Sequence, residues 1–174
     1  MGTSALMHFT KLETAQACRT VAPIVKSYLP QSIDAAQLLW AISGNESSFG
    51  DFCAPRYERA FDVGGIYGDA PQMQALILTF GSAAAYSYGP WQLMFCNAPY
   101  TATPQGFNDI GVAAQWSAAF LVHQLQRFGF QTITDIGEIW NAGHPMVTPS
   151  AGVAAYVQDL IENYAVPMPT VDGQ

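Results

Sequence analysis

The sequence predicts a mainly α-helical single domain. Three observations predict it. Apolar residues recur at helical spacing along most of the chain. Capping residues stand where those stretches begin. Runs of alternating apolar and polar residues are scarce. A chain of 174 residues suits one domain with its own core.

The elements follow in order. Thr10-Lys11-Leu12-Glu13 has capping-box form and predicts a helix to about Ala22, interrupted by Pro23. Ser32 can cap a second helix with Ile33, Ala36, Leu39 and Trp40 on one face and Gly44 as its stop. Pro71 fits the first turn of a third helix, through Thr79. Asn108 or Asp109 opens a long helix through Phe128, closed by Gly129. That helix carries two apolar faces. Val112, Trp116 and Phe120 form one; Ala118, Leu121, Val122, Leu125 and Phe128 form the other. Two faces predict a place in the middle of the domain. Asp135 and Glu138 have capping-box spacing for a short helix ending near Asn141. Val153, Tyr156, Val157, Leu160 and Tyr164 mark the last helix. Prolines and glycines make 50–70 and 97–107 loops, and Pro167–Gln174 reads as a frayed tail.

Composition excludes several function classes. Half the residues are hydrophobic and only 11% are charged, which excludes a disordered chain. The net charge is −7, and five of the six basic residues lie between Lys11 and Arg59, leaving Arg127 by itself. No basic stripe exists for nucleic acid or for a membrane surface. No apolar run reaches the ~18 residues of a transmembrane helix. Met1-Gly2-Thr3-Ser4 shows no basic segment leading into an apolar one, so no signal peptide is visible. Cys18, Cys53 and Cys96 are too few for a disulfide scaffold and have no zinc spacing, so they read as buried thiols.

Three segments can carry chemistry. Glu46 stands just after the apolar stretch Leu38–Ile42, in Asn45-Glu46-Ser47-Ser48-Phe49. The negative end of the helix dipole and an apolar setting both favour its neutral form. A raised pKa is what a general acid requires. The plainer reading is a solvated loop carboxylate. Ser87-Tyr88-Gly89-Pro90-Trp91-Gln92 reads as a turn whose aromatic rings stack on sugars and whose Gln92 meets acetamido groups. The plainer reading is a core turn with a buried Trp91. Trp140-Asn141-Ala142-Gly143-His144 is the third, with a helix C-cap as its plainer reading.

Taken in order, NESSFG, SYGPWQLM and IWNAGH resemble the E-S-G-F, S-x-G-L-M-Q and A-Y-N-A-G signatures of soluble-type lytic transglycosylases, glycoside hydrolase family 23. Goose-type lysozymes share that fold. The 110–128 helix with its Arg127-Phe128-Gly129 ending, and the Tyr156-Val157 helix, are similar to the family's long central and final helices. The resemblance spans about 30–165. It implies a lysozyme-like fold with a saccharide groove. It implies Glu46 as catalytic acid/base, Gln92 with Ser87 and Gly89 as groove and backbone-shaping positions, and Asn141 near the cleaved bond; Trp91, Trp140 and Tyr156 are expected beside them as substrate-binding residues. The implied partner is peptidoglycan or a related β-1,4-linked N-acetylated glycan, met by a monomer without metal or cofactor. The implied place of action is extracytoplasmic, or reached by delivery from a phage particle.

The chain also departs from the pattern. Pro90-Trp91 replaces Leu-Met before Gln92, and Trp140 replaces the tyrosine before Asn141. A long insertion, about 54–83, follows Glu46. Its Arg56-Tyr57-Glu58 resembles a segment of some bacterial transglycosylase-like enzymes, and Tyr57, Phe61, Tyr67, Met73 and Phe80 make it apolar enough for a helical lid beside the groove.

One carboxylic acid suffices for lytic transglycosylation. Hydrolysis by inversion requires a second carboxylate, typically ~6.5–9.5 Å from the first. The candidates are Asp51, Glu58, Asp62 and Asp69, with Glu58 foremost; its plainer role is to pair with Arg56 or Arg59. A glycan-binding module without activity is the reading from another class, favoured by the changes at Pro90-Trp91 and Trp140. The family fold would bring Cys53 near Cys96, which permits a disulfide. His123 reads as a core histidine and His144 as a surface or capping one.

Overall fold

The computed structural model describes residues 8–129 and 132–170. The described chain is mainly helical, with six α-helices and a small three-stranded sheet. Helix α1 spans Lys11–Lys26, α2 Ala35–Ser47, α3 Pro71–Phe80, α4 Ile110–Phe128, α5 Ile133–Ala142 and α6 Ala151–Tyr164. Strands β1 (Arg56–Tyr57), β2 (Tyr86–Tyr88) and β3 (Leu93–Met94) pair antiparallel in that order. Among the described residues, no helix is long and apolar enough to cross a membrane.

The helix starts follow from local chemistry. The Thr10–Glu13 capping box forms in full. Asp109 caps α4 by accepting from the N–H groups of Gly111 (2.8 Å) and Val112 (3.1 Å), and Gly129 ends it in the left-handed region. Several expected boundaries move. Helix α1 continues through Pro23 for one more turn despite the lost N–H, with Val21 and Val25 buried on either side and Lys26 at the negative helix end. Asp34, not Ser32, caps α2, its carboxylate accepting from Gln37 N–H at 2.8 Å. The α5 capping box is Thr132 with Asp135, three residues before the expected pair. The expected tail is held through Pro169, whose carbonyl accepts from the Arg19 guanidinium at 2.8 Å; residues 171–174 lie outside the described residues.

The middle position belongs to α2, not to the long α4. Residues Leu38 through Ser43 are all buried, with α1 packed on one side of α2 and α6 on the other. Helix α4 packs on α1 through Ala114, Ala118, Leu121 and Leu125. Its second apolar face, with Trp116 and Phe120, is only half-buried. Gly44 does not stop α2. A Cβ there would stand 2.6 Å from a Phe49 ring carbon and 2.9 Å from Asn163 Cγ, so this glycine admits neighbours instead. The helix ends three residues later, through Ser48 and Phe49, both with positive φ.

The sheet was not foreseen. β1 starts in the expected 50–70 loop, and its register pairs Arg56 with Ser87 and Tyr57 with Tyr86. The insertion is α-helical only over α3, with short 3-10 turns at Arg59–Phe61 and from Gly81. Met73 joins the core and Phe80 packs edge-on against Phe95 (centroids 5.0 Å apart), while Phe61 and Tyr67 pack together at 4.9 Å.

Candidate active site

Glu46 sits in the last turn of α2, inside the helix rather than after it. Its side chain is 10% exposed and lines a cleft of about 540 Å³. The turn that follows is pinned by Ser47. Its hydroxyl donates to Pro90 O at 2.7 Å and accepts from Gly50 N–H at 2.9 Å, tying the end of α2 to the β2–β3 loop. The carboxylate of Glu46 is therefore carried on two elements at once.

Tyr156, on α6, donates its hydroxyl to Glu46 Oε1 at 2.9 Å. Asn45 donates to the Tyr156 carbonyl at 2.9 Å, and Asn163 donates to Asn45 at 2.6 Å, so α2 and α6 are stitched together beside the carboxylate. Arg56, on β1, brings its guanidinium to 3.8 Å from Glu46 and donates to Glu58 at 2.6 Å. Trp140, on α5, lines the cleft with Glu46 and favours its charged form. Burial raises the pKa of Glu46; the Tyr156 hydrogen bond, the Arg56 charge and the neighbouring Trp140 oppose that rise, and Glu58 adds to it. Burial, then the nearby Glu46 charge, hold the Tyr156 hydroxyl protonated far above neutral pH. Tyr156 thus acts on Glu46, in addition to lining the cleft.

Of the expected groove residues, Gln92, Trp140, Asn141 and Tyr156 line the cleft together with Glu46 and Glu58. Ser87 and Gly89 act from behind. The Ser87 hydroxyl donates to Gln92 Oε1 at 2.9 Å, and Gly89, at φ 74°, makes the turn that lets the Gln92 amide reach its carbonyl at 3.0 Å. Trp91 is a correction. It has no exposed surface, and its indole N–H donates to Leu39 O at 2.9 Å, so it anchors the loop in the core and cannot stack on a ligand. Trp140, in the place of the family's tyrosine, stands on the cleft wall with its ring edge-on to Phe120, centroids 5.5 Å apart.

Asp51 and Asp62 are occupied elsewhere, and Asp69 is exposed and does not line the cleft. Asp51 lies 3.5 Å from Lys11 Nζ, and Asp62 accepts from Tyr57 at 2.6 Å. Glu58 alone of the second candidates lines the cleft, held by Arg56. Phe61 and Tyr67 of the insertion form part of the same wall.

Arg56 was read from sequence only as a partner for Glu58; its approach to Glu46 has no local signal, because a strand pairing creates it. Gln124 is a further cleft residue that sequence reasoning passed over. Cys53 and Cys96 are free thiols, not a disulfide; Cys53 is buried and donates to Gly50 O. His123 is exposed on α4 rather than buried in the core. Among the described residues, no cluster of His, Cys, Asp or Glu could hold a metal ion. The chain matches no protein-family model, no curated protein and no solved structure.

Proposed function

We propose that the protein is a lytic transglycosylase of lysozyme-like fold that cleaves peptidoglycan between N-acetylmuramic acid and N-acetylglucosamine, with Glu46 as its acid/base. The observation that carries this reading is Glu46 itself: a nearly buried carboxylic acid with a raised pKa, on the wall of an open cleft. Protonated Glu46 gives its proton to the glycosidic oxygen. The substrate's acetamido oxygen meets the positive charge at the anomeric carbon. Glu46, now a carboxylate, takes the proton of the muramic 6-hydroxyl as that oxygen displaces the acetamido group and closes the 1,6-anhydro ring. The Tyr156 hydrogen bond and the Arg56 charge stabilise the carboxylate stage, which lasts only between the two proton transfers.

The engagement of Glu58 by Arg56 favours a one-carboxylate route. Its presence on the cleft wall supports a second reading, hydrolysis with Glu58 activating water. Mass spectrometry of digests of purified peptidoglycan separates the two. Anhydro-muropeptides from the native protein, and a loss of about 10²–10⁴ in rate for Glu46→Gln, are expected. Reducing-end products that disappear in Glu58→Gln would transfer the reaction to hydrolysis. No product from peptidoglycan or chitin oligomers would overturn both and leave a glycan-binding module.

A further inference from the structure

We propose that the cleft continues over α4 into a second groove that binds a carboxylate-bearing part of the same glycan strand, with Trp116 as stacking surface and Arg127 as cation. This rests on the glycan reading above. The second groove holds about 520 Å³ and meets the first at Asn97, Phe120 and Gln124, which line both. Trp116, Phe120, Gln124 and Arg127 stand at i, i+4, i+8 and i+11, so they share one face of α4 over about 16 Å. Trp116 and Phe120 pack against the core with one side and leave the other partly exposed.

The residues suit a sugar strand. Trp116 is set edge-on against Phe107 at 4.9 Å and lies over Gly106, where a Cβ would come 2.3 Å from the indole. The ring is thus fixed in place while half-exposed to the groove. Gln124 is 7% exposed, and its side-chain oxygen has no hydrogen-bond partner among the described residues. It stands at the junction of the grooves, where a small rotation of the amide offers that acceptor to an acetamido N–H. Charge then selects the strand. Two carboxylates line the first cleft, whereas none lines the second among the described residues. Arg127 and His123 line the second instead, and Arg127 forms no salt bridge with a described residue. Its guanidinium rests 4.8 Å from the Phe128 ring centroid, which limits its motion. In a chain of net charge −7, this is where an anionic substituent is accepted.

The carboxylate has two possible sources, the lactyl group of muramic acid and the peptide attached to it. Calorimetric titration with four probes distinguishes them: long N-acetylglucosamine oligomers, glycan strands of equal length with bare lactyl groups, strands with stem peptides, and a disaccharide short enough for the first cleft. Both anionic strands, or only the peptide-bearing one, should bind tighter than the uncharged oligomer. Arg127→Gln should remove that difference, a factor of about 3–10, and Trp116→Phe should weaken every long strand while leaving the disaccharide unchanged. Equal affinity of native and Arg127→Gln proteins for both anionic strands would overturn the proposal, as would no strand binding at all. Cleavage is scored separately. Arg127-dependent binding without cleavage would remove the catalytic reading and keep the groove; cleavage indifferent to Arg127 would do the reverse.

Discussion

At the scale of single residues, the central feature is a carboxylic acid that folding makes harder to ionise. The sign of its effect on stability is fixed. The folded pKa of Glu46 lies above the unfolded one, so the folded state binds more protons and stability falls as pH rises through the folded value. The contribution is fully present below the unfolded pKa. Glu46→Gln, which cannot ionise, should therefore melt higher than the native protein near pH 7, with the gain vanishing near pH 4. Thermal unfolding at the two pH values checks this. Arg56→Ala makes a companion prediction. Loss of the guanidinium removes a charge that lowers the Glu46 pKa. The alkaline limb of the pH–rate profile should move to higher pH, because the acid keeps its proton longer. A limb that moved to lower pH, or stayed in place, would separate Arg56 from the proton transfer.

At the scale of elements, local chemistry and long-range pairing were unequally readable. The six helices were legible because a cap, a periodic face and a stop lie within a few residues of one another. Asp109 and Gly129 bracket α4 as expected. The sheet was not legible. Its strands are two or three residues long, and β1 finds β2 some thirty positions later. For that reason Arg56 gave no sign of reaching Glu46. Trp91 shows the opposite error. A tryptophan in a Gly-Pro turn reads as a sugar platform until the fold shows Leu39 waiting for its indole N–H. Gly44 carries the element-scale prediction. Gly44→Ala places a methyl group against Phe49 and Asn163. It should cost about 1–3 kcal/mol of stability by overpacking. It should also lower activity more than that loss explains, because Asn163 steadies Asn45 and Tyr156. Denaturant titration beside turnover measurement tests both. A second turn gives another: Gly89→Ala, at φ 74°, should cost about 1–2 kcal/mol and loosen Gln92, read in the same way.

At the scale of the whole molecule, charge sets the terms of encounter. The protein carries −7, and the proposed wall polymer is largely anionic. Long-range repulsion slows their approach until salt screens it; the Debye length falls from about 30 Å at 0.01 M to about 8 Å at 0.15 M. Digestion of intact wall should thus accelerate over that range, and cleavage of uncharged N-acetylglucosamine oligomers should not. Turbidity clearing and oligomer turnover, measured in the same salt series, check the contrast.

Under the proposed function, the stitching of α6 to α2 bears on when the acid becomes competent. The hydroxyl that steadies Glu46 belongs to Tyr156, 110 positions further along the chain. During synthesis α2 leaves the ribosome long before α6 exists. A nascent chain therefore displays its acid without the partner that positions it. Under the proposed function, activity would arrive late, when the final helix docks. An interrupted chain ending before 156 would carry Glu46 without the hydroxyl that donates to it.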